Sequence, residues 1–277
     1  MERLVSTEWL AGELGAADLV VLDATMHLPD SPRDAKADYL EAHVPGARFL
    51  DLASFTDSGS VVPKALPTAE QFAARLGAIG IVPSARVVLY DDSQIKSAAR
   101  AWFIFDHFGF GEVAILNGGF AKWRAEGRET ERGEVTFEST AFPVPQARRE
   151  VRSKADMLAN CATRGEQVVD ARDAARFAGE DGSGSAGHIP GAANVHFPRL
   201  FAEDGTWKAP DALRAEFAAS GVDLTRPVTA SCNSGMSACV LLFGLSLAGK
   251  DDGALYDGSW MEWGADPATP KEQGAAR

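Results

Sequence analysis

Four short blocks occur in one order in the first half of this chain and again, in the same order, in the second. Leu19 to Met26 reads LVVLDATM, Ala42 to Leu52 AHVPGARFLDL, Ala85 to Ser93 ARVVLYDDS, and Leu116 to Trp123 LNGGFAKW. Their counterparts are QVVDAR from Gln167, GHIPGAANVHF from Gly187, RPVTASCNS from Arg226 and LYDGSWMEW from Leu255. Spacing is kept as well, since His43 precedes His188 by almost as many residues as Asp91 precedes Cys232. Solenoid repeats recur every 20–45 residues or so, far more often than this, so the unit duplicated is a whole domain. At 277 residues the chain also reaches the size at which one core gives way to two. The expected division is 1–130, a linker over 131–150, and 151–277. From Glu129 to Glu150 the sequence is charged and aperiodic and carries Pro143 and Pro145, as connecting segments do. The tail beyond Pro267 is expected to fray.

Inside each half, short β-branched runs alternate with amphipathic stretches. VVLD, RVVLY and VAIL read as buried strands, and PTAEQFAARLGAIG as a helix with Thr68 and Glu70 at its start. QVVD, PVTAS and ALYD repeat the strands, with DALRAEFAASG as a helix between them. The pattern is α/β: two tandem domains, each a mostly parallel sheet with helices on both faces.

A net charge of −12 argues against nucleic acid or an anionic membrane as a partner, because both call for clustered Lys and Arg. The start, MERLVSTEWLAGEL, has no basic stretch leading into an apolar core, and no run of eighteen apolar residues occurs, so the expectation is a protein without leader or span, in the cytoplasm. The three cysteines, Cys161, Cys232 and Cys239, lack the spacing of a disulfide framework or a zinc site. Cysteine chemistry here belongs to one reduced thiol, and no metal is expected.

Cys232 is the candidate. In VTASCNSGMSACVLLFG it follows an apolar strand and precedes an apolar helix starting near Ser237, which sets it at the carboxyl end of a strand, where open α/β sheets hold ligands. Backbone N–H groups of the intervening loop and the positive end of the helix both favour thiolate over thiol. The plainer reading, a small buried residue, suits Cys239 inside the apolar helix better. Asp91 holds the equivalent place in the first half, or Asp92 if the register slips by one; a carboxylate there is no sulfur nucleophile, so one copy is active and the other inactive.

These motifs together, VLDA and VVDAR, HVPGA and GHIPGA, the loop CNSGMSA, LNGGFAKW and DGSWMEWG, resemble the tandem-domain rhodanese family of sulfurtransferases over nearly the whole chain. The resemblance implies an inactive first domain, a catalytic second one and no cofactor. Its thiosulfate branch has Arg and Lys where this chain has Asn233 and Ser234, and its 3-mercaptopyruvate branch has Gly, Ser or Thr, and Gly, which Ser234 and Gly235 match. In that second branch the hydroxyl two residues past the cysteine joins a His and an Asp of the first domain in a proton relay; the matching residues are Ser234, His43 and Asp34, with Asp38 as the alternative carboxylate. Arg176 matches an arginine that holds the substrate carboxylate, whereas the family's second such arginine, just before GHIPG, is absent from GEDGSGSAGHIPG. The loop residues Asn233, Gly235, Met236, Ser237 and Ala238 complete the expected substrate contacts.

The function expected is transfer of sulfur from 3-mercaptopyruvate to a thiol or cyanide through a Cys232 persulfide, with a thioredoxin-like reductant as a further partner. Thiosulfate as donor, and a sulfur carrier without turnover, are the alternatives. A cysteine phosphatase of the same fold needs an arginine six residues after the cysteine, where this chain has Ala238. His188 is read as bracing its turn, Arg172 as a structural partner of Asp170 or Asp173, and Trp260 and Trp263 as core.

Overall fold

The computed structural model describes residues 1–180, 182 and 187–276. They fall into two compact units: Met1–Asp57, Leu66–Arg148 and Glu203–Trp207 in unit 1, and Ser58–Ala65, Arg149–Ala202 and Lys208–Arg277 in unit 2. Unit 1 runs β1 (Leu4–Val5), α1 (Thr7–Glu13), β2 (Leu19–Asp23), α2 (Ala35–Glu41), β3 (Arg48–Phe49), α3 (Ala69–Ala78), β4 (Arg86–Tyr90), α4 (Ala98–His107), β5 (Val113–Leu116) and α5 (Gly119–Ala125). Unit 2 runs β6 (Val151–Arg152), α6 (Lys154–Thr163), β7 (Gln167–Asp170), α7 (Ala174–Ala178), β8 (Ala193–Asn194), α8 (Pro210–Ala219), β9 (Val228–Ser231), α9 (Met236–Leu247), β10 (Ala254–Tyr256) and α10 (Ser259–Trp263). The sheets are ordered β1-β5-β4-β2-β3 and β6-β10-β9-β7-β8, the same order twice. Every strand pairing is parallel.

The expected α/β class is what the chain adopts. Successive strand residues point to opposite faces, yet Val87 to Tyr90 and all of β5, β9 and β10 are buried, so helices cover both faces of each sheet. Helix starts follow local chemistry. Thr68 and Gln71 form a reciprocal capping box at α3, and Ser153 and Asp156 do the same at α6. At α3 it is Gln71, three residues past the cap, that completes the box, rather than the acidic Glu70 that the sequence offers as a start signal. Helix α9 is buried from Ala238 to Ser246 and has no polar face, which makes it the central helix of unit 2.

Two segments without helix or strand are ordered by pairing. The chain at 131–148 is laid along unit 1: His43 and Glu131 exchange backbone hydrogen bonds at 3.0 and 2.9 Å, and the Thr140 N–H donates to the Gly77 carbonyl at 2.8 Å. Phe142 packs edge-on against Phe72. Unit 2 repeats the device with its tail, where His188 and Glu272 exchange backbone hydrogen bonds at 2.8 and 3.0 Å. From Pro267 to Gly274 the tail is held rather than frayed as expected: Thr269 is buried, the Trp263 indole N–H donates to the Pro270 carbonyl, and the Gly274 N–H to that of Ala178. Composition alone misses this because the tail's partner, the turn at His188, lies far away in sequence.

Candidate active site

Strand register fixes which residues are equivalent. Asp23 lies beside Tyr90 at the end of the β2–β4 pair, and Asp170 lies beside Ser231 at the end of the β7–β9 pair. The next residues, Asp91 and Cys232, therefore correspond, and the alternative with Asp92 is removed. In unit 2 the chain leaves β7 toward β8 on one side and reaches β9 on the other, so Cys232 stands at the point where strand order reverses. It is 1% exposed.

Behind Cys232 the loop turns at Gly235, whose φ of 75° lies in the left-handed region that favours glycine, and enters the first turn of α9. The amides of that first turn have no partner within the helix, and its end carries partial positive charge. Asn233 is exposed, Ser234 and Ala238 are buried, and Met236 and Ser237 are half-buried. The predicted cysteine, loop and helix start are thus brought together. Cys239 is fully buried one turn into α9, with its thiol directed at the Gly235 carbonyl, in the structural role read from sequence.

The floor of the loop comes from α10, which sequence reasoning leaves outside the site. The Ser259 hydroxyl accepts the Cys232 N–H at 3.1 Å and the Gly235 N–H at 3.2 Å and donates to the Tyr256 carbonyl at 2.8 Å. The Trp260 N–H donates to the Cys232 carbonyl and the Met261 N–H to that of Asn233. The repeated motif GGF against GSW is the available signal, since serine replaces glycine in the second copy alone. Next to the loop, Arg172 and Asp170 form a buried ion pair, with the Arg172 guanidinium 4.6 Å over the Trp260 ring. That is the ion-pair role expected of Arg172, and Trp260 and Trp263 belong to the unit 2 core.

Arg176 sits in α7, nearly half exposed, with its Nε donating to the Asp173 carboxylate at 2.5 Å. Asp173 also caps α7 by accepting the Arg176 N–H. Most of the segment in which the family's second arginine is missing, Asp181 and 183–186, lies outside the described residues. A cavity of about 260 Å³ in unit 2 opens beside Gln167 and Val168, at the amino end of β7, and Cys232 takes no part in its lining.

The expected relay residues of unit 1 occupy different settings. His43 is fully buried, its ring stacked 4.2 Å from that of Tyr39. Its Nδ1 lies 2.8 Å from the Tyr39 carbonyl, which can only accept, so Nδ1 carries the proton, and Nε2 is buried without a hydrogen-bond partner. His188 repeats the arrangement, with Nδ1 2.9 Å from the Phe177 carbonyl and a stacked ring. Asp34 caps α2 by accepting the Ala37 N–H at 2.7 Å, and neither nitrogen of His43 reaches it. Asp38, the alternative, accepts from Arg33 at 2.9 Å and lies 2.9 Å from His27 Nε2.

At Asp91 the carboxylate closes its own loop. Oδ1 accepts the Ser93 N–H and hydroxyl, and Oδ2 the Ala98 N–H, at 2.9 to 3.1 Å. Burial pushes this carboxyl up from its ordinary value. Among the described residues no group of three or more His, Cys, Asp or Glu is placed to hold a metal, and no helix is long and apolar enough to cross a membrane.

The model of the rhodanese-like domain matches residues 6–126 and again 153–266. A 3-mercaptopyruvate sulfurtransferase of Mus musculus is 38% identical over 271 residues, 94% of this chain and 91% of the relative. A thiosulfate sulfurtransferase of Bos taurus is 39% identical over 285 residues, 98% of this chain and 95% of the relative. The crystal structure of SseA from Escherichia coli, described as a 3-mercaptopyruvate sulfotransferase, superposes with a TM-score of 0.86 at 34% identity, covering 94% of this chain and 99% of that one. With its domain matched twice and relatives of this identity along almost its full length, the chain belongs to the rhodanese family.

Proposed function

We propose that the protein is a sulfurtransferase in which unit 2 is catalytic and unit 1 is not, and that it takes sulfur from 3-mercaptopyruvate. The observation that carries this reading is Cys232 at the switch point of unit 2, against Asp91 at the same register position in unit 1. In the first step the Cys232 thiolate attacks the donor sulfur; a sulfur–sulfur bond forms, the donor's carbon–sulfur bond breaks, and its electron pair leaves on the pyruvate enolate, which takes a proton. In the second step a thiol, a thioredoxin-like reductant or cyanide attacks the outer sulfur, and Cys232 returns as thiolate. Loop amides and the α9 terminus stabilise negative charge on sulfur in both steps. Arg176 is the candidate for the donor carboxylate, because a planar guanidinium matches that group in two hydrogen bonds. A reducing compartment such as the cytoplasm suits a single free nucleophilic thiol.

Donor choice rests on the loop. Thiosulfate is a dianion and favours fixed positive charge beside the sulfur, whereas this loop offers Asn233 and Ser234. Mercaptopyruvate needs a proton for its enolate; Ser234 is the candidate to supply it, and His43, whose Nδ1 proton is held by the Tyr39 carbonyl, is the candidate to relay one taken up at its partnerless Nε2, with Asp34 serving α2 as its cap. The near-equal identities to relatives named for each donor, 38% and 39%, leave the loop chemistry to decide.

The test is sulfur transfer to cyanide, read as thiocyanate, from each donor in turn. Mercaptopyruvate is expected to be preferred, and Cys232→Ser to abolish transfer from both. A preference for thiosulfate would overturn the donor assignment, and full activity in Cys232→Ser would overturn the mechanism.

A further inference from the structure

The duplication provides an internal control on how the cysteine loop is held. In unit 1 the residue opening α5 is Gly119, at φ 60°, and the following Phe120 N–H donates to the Asp91 carbonyl at 3.1 Å. A Cβ on Gly119 would lie 2.4 Å from that carbonyl oxygen, so the first copy has no room for a side chain here. In unit 2 the same place opens α10 and is Ser259, at φ 49° and fully buried. A non-glycine residue in this region costs of order 1 kcal/mol and persists where its surroundings hold it there. Ser259 is held by its hydroxyl, which accepts two loop amides and donates to Tyr256, and by the next two backbone amides, which take the carbonyls of Cys232 and Asn233.

The two copies close their loops by opposite means. Unit 1 does it from inside, with the Asp91 carboxylate taking the Ser93 and Ala98 amides. Cys232 cannot hold its loop closed in this way throughout turnover, because a thiol or persulfide sulfur is a weak acceptor and the thiolate charge that attracts the loop amides is spent when the sulfur reacts. The bond must then come from outside, through a side chain short enough to fit under the loop and able to accept twice and donate once.

We propose that Ser259 is a positioning residue for Cys232, an external clamp that replaces the carboxylate of the inactive copy and fixes the sulfur on its loop at the cost of local backbone strain. The inference builds on the sulfurtransferase reading and adds a residue whose hydroxyl is committed to the loop and to Tyr256.

Two variants test it. Ser259→Ala keeps the strained backbone and removes the acceptor; Ser259→Gly removes both, so it guards against a loss that is merely one of folding. The thermal midpoint of Ser259→Gly is expected to equal or exceed that of Ser259→Ala. In both, kcat for sulfur transfer is expected to fall about tenfold, with KM for the donor within about threefold. Amide exchange at Cys232 and Gly235, read residue by residue by NMR, is expected to quicken about tenfold or more. A kcat within twofold of wild type in Ser259→Gly, or unchanged protection of the two amides, overturns the proposal. Wild-type turnover is the separate check on the sulfurtransferase reading; were it absent for every donor tried, the exchange comparison alone would decide the clamp.

Discussion

Asp23 and Asp170 end equivalent strands, and their fates differ by one neighbour. Asp170 is paired with Arg172, whereas at the matching position Asp23 has Thr25, whose N–H donates to it at 2.9 Å. Burial raises the Asp23 carboxyl to about 6, partly offset by hydrogen bonds from Thr25 and Tyr90. Its folded value thus exceeds the unfolded one, so between roughly pH 4 and pH 6 the folded state binds more protons, and stability falls as pH rises through that window. Asp23→Asn removes the titration; relative to this variant the wild type is expected to lose about 2 kcal/mol of unfolding free energy between pH 4 and pH 7. Urea melts of the intact chain at both pH values check it, and parallel behaviour would show that Asp23 stays charged throughout. His43 offers a second residue-level test. In His43→Asn the amide can still donate to the Tyr39 carbonyl, as Nδ1 does, while the atom with no partner is gone. Turnover of mercaptopyruvate is expected to drop about tenfold with thiosulfate turnover kept within twofold, since only the first leaving group needs a proton; equal effects on both donors would make His43 purely a brace of its turn.

At the scale of the element, the glycine and serine that open α5 and α10 are not interchangeable. Gly119→Ser in unit 1 adds a Cβ against the Asp91 carbonyl and is expected to cost about 2 kcal/mol, seen as a lower thermal midpoint. Asp91→Cys is expected to create no second active loop, because it deletes the carboxylate that closes the loop and Gly119 offers no hydroxyl in exchange; loading of the introduced thiol with sulfur in that variant would show the clamp to be dispensable. Such pairs also mark what the sequence makes legible. Strands β2, β4, β5, β7 and β9, helix α9 and the place of Cys232 can be read directly, because buried strands are unbroken apolar runs and the cysteine falls at the end of one. Ser259 escapes such a reading because φ is invisible in sequence; only its replacement of a glycine in the other copy hints at it. Asp34 and Asp38 cannot be told apart for a similar reason, since the cap of α2 and the partner of His27 depend on where the helix starts.

For the whole molecule, a duplication in which unit 2 alone carries the proposed chemistry has a stoichiometric signature. Treatment with excess donor and removal of small molecules is expected to leave one cyanide-labile sulfur per chain, carried by Cys232, and initial rates against donor and acceptor to give parallel lines. Two labile sulfurs per chain would mean that Cys161 or Cys239 also takes part. The backbone that follows α5 adds a further expectation. From Glu131 to Arg148 it has the charge and prolines of a tether, yet its carbonyls and amides are engaged with Leu40, His43, Gly77 and His107 of unit 1. A protease needs a run of free backbone to thread its cleft, and this stretch is pinned at Glu131, Gly133, Thr140 and Arg148. Limited digestion should therefore pass over the segment that composition marks as most vulnerable, and the life of the intact chain in a protease-rich setting is governed by how often that strap lifts off.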